Sequence, residues 1–475
     1  MIIVHRSPFF VLSSLPPEYI EKNIEKKKLK LFMKKKQKHP LIVGTFILTV
    51  TGMISRLIGF FYRIYLSRLF GEEGMGIYQL LSPVLSLSFS LTAAGYQTAI
   101  SKLVAEQSAM EKRPSLRPLI LGMSISLPLS LLCNAVLFTS ADTIAATLLQ
   151  EPRTADMLRI LSFSIPLSAV HACINGYFYG IKRAGIPAGS QLLEQLVRVG
   201  CVYIVSARYI ARGLVPSVSV AVLGLSVGEF FSMMMAVLAL LPCCVKKTPP
   251  AMLSRGLRKV TYGSLLAMVL PLTANRIVLN ILQSVESVSI PARLKMYGYD
   301  TVTSLSVYGV LTGMAMPFIF FPNALTSSVS VMLLPMISES YALGDMAAVR
   351  SSVVRTVKYC ALMGGFCMVC FVLFGRWAGG TLFDSPLAGY FITTLGFICP
   401  FLYLDTTLSS ILQGLGLAGH IFVMNAACLL IRLGFVFFTI PKFGITGYLW
   451  GLLASQLTLG LLYLGCLYRF LAKHR

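Results

Sequence analysis

The sequence predicts an all-α integral membrane protein, with about twelve transmembrane helices in two six-helix lobes related by a pseudo-two-fold along the membrane normal. Three observations lead there. Of 475 residues, 56% are hydrophobic and only 12% charged, with a mean hydropathy of +0.76. Soluble domains carry about 25% charge, so a chain this apolar needs lipid around it. Long apolar segments recur along the whole chain, and the second half echoes the first. A soluble enzyme, a secreted disulfide scaffold and a disordered protein are excluded. The net charge of +23 does not indicate a nucleic-acid partner, because the basic residues sit in a leader and in short loops.

Residues 1–40 form a basic leader, with Arg6 and nine lysines against Glu18, Glu21 and Glu25. Its apolar stretch near Phe9–Leu12 is too short for a signal peptide. Met33 opens Met-Lys-Lys-Lys-Gln-Lys-His-Pro, a usual lead-in to a first membrane helix. Translation is therefore expected to start at Met33, which the intact mass of the native chain tests.

Apolar segments follow near 41–66, 77–101, 117–138, 158–180, 189–208, 214–241, 262–283, 304–335, 352–375, 387–412, 420–440 and 445–469. At 1.5 Å per residue each can cross about 30 Å of hydrocarbon. None alternates with a period of two, so helices are expected. Even-numbered loops are the basic ones. Loop two holds Lys102, Lys112, Arg113 and Arg117, loop four Lys182 and Arg183, and loop six Lys246, Lys247, Arg255, Arg258 and Lys259. Loops one and three are balanced by Glu72, Glu73, Asp142, Glu151 and Asp156, and loop five, with Arg208 and Arg212, is the exception. Both termini are thus expected in the cytoplasm of a multi-pass cell-membrane protein.

The repeat is weak at each site but ordered. At an offset of 234, Ile165-Pro166-Leu167 aligns with Cys399-Pro400-Phe401, and Val197-Arg198-Val199-Gly200 with Ile431-Arg432-Leu433-Gly434. At 220, Ser55-Arg56-Leu57-Ile58 meets Asn275-Arg276-Ile277-Val278. These matches imply an N-lobe over 41–241, a basic linker over 242–261 and a C-lobe over 262–475, with a cavity between the lobes.

Ionisable side chains inside a membrane are costly and usually face a cavity. The candidates are Arg56, Arg63, Glu194, Arg198 and Glu229 in the first half, and Arg276, Asp405 and Arg432 in the second. Arginine dominates. Arg56 and Arg63 are two helical turns apart and share a face, and a guanidinium fork matches phosphate oxygens. The five arginines are the candidate anion-binding residues, with structural roles open for Arg198 and Arg432. Glu194 and Arg198 form an i, i+4 pair that can simply neutralise itself. Glu229, Asp405 and Glu194 are the candidate proton- or ion-coupling residues. Pro317 and Pro322 make the eighth segment the candidate hinge.

Other motifs fall away on context. Gly414-Leu-Gly416-Leu-Ala-Gly419 follows a membrane helix, not a strand, and has no acid about 20 residues on. No phosphate-binding G-x-x-x-x-G-K-[ST] stretch occurs. Cys367-Met-Val-Cys370 lies in an apolar run, as small buried cysteines do. His171 and Cys173 are two ligands, too few for zinc. No nucleophile with a base appears, so neither enzyme activity nor a cofactor or metal is expected.

Ser55-Arg56-Leu-Ile-Gly59-Phe60-Phe61-Tyr62-Arg63, Gly71-Glu-Glu-Gly74-Met-Gly76-Ile-Tyr78-Gln79 and Ala99 to Glu106 are followed by Leu282-Gln-Ser-Val-Glu286-Ser, Tyr308 to Pro317 and Ser330 to Pro335. Together these stretches resemble the polysaccharide-exporter family that includes stage V sporulation protein B, within the multidrug, oligosaccharidyl-lipid and polysaccharide exporter superfamily. The resemblance covers about 41–475. It implies a flippase for lipid-linked cell-wall saccharides, such as the peptidoglycan precursor for spore cortex. The chain is also similar to lipid II flippases, whose cavity arginine in a Ser-Arg-x-x-Gly-Phe stretch falls on Arg56. Their next arginine falls on Tyr62, whereas here it is Arg63. Relatives often have fourteen helices, and the missing pair takes a lipid-binding groove out of the analogy.

The expected partners are a lipid-linked oligosaccharide and membrane lipid, with wall-synthesis polymerases beside a monomer. Two alternatives stand. A cation-coupled antiporter of the multidrug and toxin extrusion type would want acids and aromatics in its cavity. A non-transporting scaffold of wall synthesis would have no use for intramembrane charges.

Overall fold

The computed structural model describes residues 17–111, 115–245 and 261–473. Met33, the leader side chains, Lys112, Arg113 and the basic linker from 246 to 260 fall outside the described residues and side chains. All of the regular structure in the described residues is helical.

The helices run in twelve lengths. The helix Pro17–Leu80 is interrupted at Gly71, with φ 68° and ψ −172°. That region of backbone space is essentially open only to glycine. The chain reverses there, because Ser55, Gly59 and Arg63 before the break line the same cavity as Gln79 and Ser82 after it. We name the two lengths α1 (to 70) and α2 (72–111). Then come α3 (Arg117–Thr139), α4 (Pro152–Gly180, bent by 41° at Phe163), α5 (Gly185–Ala211) and α6 (Ser219–Val245). The second half holds α7 (Tyr262–Tyr297), α8 (Thr301–Ala342, in pieces), α9 (Met346–Phe383), α10 (Pro386–Gly414), α11 (Ala418–Phe438) and α12 (Ile445–Lys473).

Among the described residues nine helices are long and apolar enough to cross a bilayer, or ten with the bent α4. One of the nine, Ile47–Ser108, contains both α1 and α2. The 27-residue α5 stands outside the count and carries Glu194, Arg198 and Arg208. About twelve spans are consistent with this. Local chemistry sets the starts. Thr261 and Ser264 form a capping box on α7, and Asp300, Asp345 and Ser385 accept from the first turns of α8, α9 and α10.

The repeat reappears in the backbone. A π-helical turn at Ser90–Ala94 in α2 matches one at Val310–Ala315 in α8, again at an offset of 220 from Ser90. The bend of α4 at Phe163 matches the 3₁₀ turn Gly396–Ile398 of α10 at 234. Such breaks are where membrane helices flex.

The two halves meet backbone to backbone near the odd-numbered loops. A Cβ on Gly76 would lie 2.1 Å from the Leu305 carbonyl oxygen. A Cβ on Gly309 would lie 2.3 Å from the Gly76 nitrogen and 2.4 Å from the Glu72 oxygen. Only glycine lets α2 and α8 approach this closely. Leu66, Met75 and Leu80 of the first half join Leu305, Leu311 and Phe391 of the second in one buried cluster. Arg68 adds hydrogen bonds to the Thr381 (2.7 Å) and Leu382 (3.0 Å) carbonyls, and the Ser385 hydroxyl donates to Glu72 at 2.5 Å.

This contact generates a prediction. Gly309→Val should force α2 from α8 and lengthen the distance between spin labels at Asp142 and Asp384, both exposed, in a cysteine-free background. An unchanged distance in a folded variant would show that the glycine contact does not hold this end closed.

Candidate functional site

A cavity of about 690 Å³ lies between the halves, beneath the Gly76–Gly309 contact. From α1 it takes Ser55, Arg56, Gly59, Phe60 and Arg63, from α2 Gln79 and Ser82, and from α5 Gln191 and Gln195. From α8 it takes Thr312, Met316, Pro317, Phe320, Phe321 and Asn323. The expected shared face of Arg56 and Arg63 is thus the cavity wall. Arg56 Nη1 donates to the Ser327 hydroxyl at 2.5 Å, across to the second half. Among the described residues, no carboxylate lines this cavity, and neither arginine has an acidic partner. The remaining polar groups are amides and hydroxyls. Two guanidinium forks with neutral donors around them suit an anion with several oxygens.

The wall of α8 is broken where the prolines stand. The helix runs Thr301–Gly309, passes through the π-helical turn, continues as Met316–Phe320 and restarts at Asn323 after Pro322. Pro317 and Pro322 therefore flank a discontinuity that also lines the cavity.

The other charged residues lie elsewhere. Arg198 and Glu194 pair with each other within α5, mostly buried. Arg432 pairs with Glu286 of α7, with Nη2 2.6 Å from Oε2 and Nε 2.5 Å from Oε1. Tyr448 donates to the same carboxylate at 2.7 Å. The recurrent arginines of the repeat thus find different acids, one on its own helix and one across to α7. Arg276 is exposed on α7 and does not line the cavity. Asp405 is 5% exposed, and neither of its carboxylate oxygens has a hydrogen-bond partner.

Glu229 has a partner that the sequence does not announce. It lies 2.9 Å from Nδ1 of His171, on α4. Ligand atoms of His171, Glu194 and Glu229 all fall within 4.8 Å of one another. His171 faces these acids, and Cys173 takes no part in the group. Glu286 was likewise visible only as part of a motif. In both cases the signal available was a charge in an apolar run that needed a distant counterpart.

The family model for polysaccharide biosynthesis proteins matches residues 41–341. The chain is 30% identical over 418 residues to stage V sporulation protein B of Bacillus subtilis (strain 168), covering 86% of this chain and 80% of that protein. The chain belongs to the polysaccharide biosynthesis protein family. Its fold is shared with two solved transporter structures of low sequence identity. One is lipid II flippase MurJ in an inward closed conformation (TM-score 0.68, 14% identity, 89% of this chain and 87% of that one). The other is an inward-facing multidrug resistance transporter of the MATE family (TM-score 0.64, 15% identity, 90% and 98%). Both likenesses show one helical fold, which this family member shares over most of its length.

The buried pair of Glu286 and Arg432 yields a prediction about stability. Glu286→Gln leaves Arg432 in a low-dielectric site without its charge partner, a change worth about 3–5 kcal/mol. The variant should lose thermal stability in detergent, and Glu286→Gln with Arg432→Met should recover most of it. Equal melting of the single variant and the wild type would show the pair to be dispensable.

Proposed function

We propose that this protein is a flippase that carries lipid-linked saccharide precursors of the cell wall from the inner to the outer leaflet of the cell membrane. The observation that carries this reading is the cavity itself, which holds Arg56 and Arg63 and, among its described lining residues, no acid. A lipid-linked saccharide bears a phosphate or diphosphate at the junction of sugar and lipid. The two arginines hold that group, the amides and hydroxyls of Gln79, Gln191, Gln195 and Asn323 meet the sugar, and the polyprenyl chain stays in lipid. A cation-exporting antiporter needs negative charge where its cargo binds, and this cavity offers the opposite sign.

Loop charges supply the direction. With the basic even-numbered loops and both termini in the cytoplasm, the Gly76–Gly309 contact closes the outer side, and the arginines face the compartment where precursors are made. The N-lobe (41–241) and C-lobe (262–475) then rock about the basic linker, with the break at Pro317 and Pro322 absorbing the change in α8. An inside-negative potential favours outward passage of an anion by about 2.3 kcal/mol per charge per 100 mV. The similarity to stage V sporulation protein B supports a peptidoglycan precursor for spore cortex as the cargo.

The test is the outer-leaflet exposure of lipid-linked wall precursors in cells. A deletion strain would be complemented by wild type, Arg56→Ala or Arg63→Ala, with membrane insertion verified. Charge-assisted hydrogen bonds contribute about 1.5–3 kcal/mol, so each variant should cut exposure roughly tenfold or more while precursor accumulates inside. Unchanged exposure in the deletion, in a strain with no second flippase, would overturn the proposal.

A further inference from the structure

We propose that His171, enclosed by Glu229, Glu194 and Arg198 inside the first half of the protein, is a binding site for a single proton. Its existence stands on the local geometry alone. Its link to transport rests on the flippase reading.

The hydrogen bonds define what the site holds. Nδ1 of His171 faces a Glu229 carboxylate oxygen at 2.9 Å, so this nitrogen carries hydrogen. Around Nε2 stand Ser190 Oγ at 3.0 Å, Ser232 Oγ at 3.0 Å and Asn175 Nδ2 at 2.8 Å. Each serine hydroxyl has one proton, and each has a backbone carbonyl in reach to take it. Ser190 donates to the Pro187 carbonyl at 3.0 Å, and Ser232 donates to the Ser190 carbonyl at 3.0 Å. With those carbonyl bonds made, the serines offer Nε2 lone pairs, which suit an N–H.

Asn175 completes the argument. It is 8% exposed, and its Oδ1 is buried without a hydrogen-bond partner while its Nδ2 points at the ring. A half-turn of the amide exchanges these atoms. Oδ1 then accepts from a protonated Nε2, and Nδ2 takes the side of the amide on which Oδ1 had no partner. With neutral imidazole, Nδ2 donates to Nε2 and Oδ1 is left over. The site thus has two hydrogen-bonded arrangements that differ by one proton and one amide turn.

Charge points the same way. Arg198 already neutralises Glu194 on α5. The Arg198 charge in reach of Glu229 is already bonded to Glu194, so Glu229 has no cation bonded to it unless His171 is protonated, and a buried carboxylate without a bonded partner is unfavourable. One proton brings His171, Arg198, Glu194 and Glu229 to zero net charge. The neighbouring groups do not supply that charge. Tyr62, Tyr78 and Arg63 lie nearer Arg198, and Tyr96 of α2 lies beside Cys173. A metal ion fits less well despite the closeness of the three ligand atoms, because it would share Glu194 with the Arg198 guanidinium.

The site is joined to the cavity through α5. Glu194 and Arg198 are on the same helix as Gln191 and Gln195, which line the cavity, and Arg63 lies within electrostatic reach of Arg198. An anionic head group on Arg63 favours protonation of the cluster, and by linkage the proton favours head-group binding.

The test uses the full chain in lipid nanodiscs with ¹⁵N-labelled histidine imidazoles. The chain has five histidines, and subtraction of the His171→Gln spectrum assigns the signal. The expected result is that His171 titrates between singly and doubly protonated forms within about pH 5–8, insensitive to sodium or zinc ions. A His171 fixed in one form across that range, or one whose signal moves on adding either ion, overturns the proton site. Replacing the other four histidines leaves the His171 signal alone in the spectrum, so the question is decided even where His171→Gln fails to fold. Flipping in vesicles separates the second claim. Loss of its pH dependence in His171→Gln supports coupling, and retained pH dependence refutes coupling alone. A wild type that flips nothing refutes the function without touching the titration.

Discussion

A guanidinium in a membrane interior must either find an acid or find water, and this constraint organises the protein. Arg198 and Arg432 take the first route, bonded to Glu194 and Glu286 in sites nearly closed to solvent. Arg56 and Arg63 take the second, on the wall of a cavity whose described lining contains no acid. The Arg432 pair ties α11 to α7, while the Arg198 pair closes on its own helix. Arg56 and Arg63 carry positive charge to the cavity wall, where an anionic ligand can balance it. Removing acids from the cavity is therefore as informative as placing arginines there.

The same division explains where the helices break. Regular α-helix satisfies its own backbone, so irregular turns inside a membrane are tolerated only against protein or water. The π-helical turns of α2 and α8, the bend of α4 and the 3₁₀ turn of α10 all fall in the helices around the interface of the two halves or at matching places in the repeat. The glycine contact between α2 and α8 is a short, dry closure made of backbone and small surfaces. Opening it also parts Arg68 and Glu72 from their partners in the second half, so these polar contacts must be remade with water.

Much of this architecture was legible in the sequence, and the parts that were not share a cause. Apolar runs located the helices well, as for α12, expected from 445 and found as Ile445–Lys473. Helices such as α9, expected over 352–375 and found as Met346–Phe383, are longer, because hydropathy falls off outside hydrocarbon while the helix continues. The first loop was expected to span about ten residues and is a turn at Gly71. Arg68 and Glu72 read as loop residues because they are polar, yet their polarity serves bonds across to the second half. The face shared by Arg56 and Arg63 followed from helical spacing. The partners of Glu229 and Arg432 did not, since His171 and Glu286 stand 58 and 146 residues away. Local periodicity carries no information about such distant pairs.

The most direct test of the central claim is a reconstitution. Purified protein in vesicles would be given a fluorescent lipid-linked diphosphate saccharide, and the fraction reaching the opposite leaflet would be read by a membrane-impermeant quencher. Parallel vesicles would be offered an organic cation under a sodium or proton gradient. The account predicts translocation of the lipid-linked saccharide, its loss when Arg56 and Arg63 are both replaced by alanine, and no cation uptake. Cation uptake with no lipid translocation, or lipid translocation indifferent to both arginines, would contradict it.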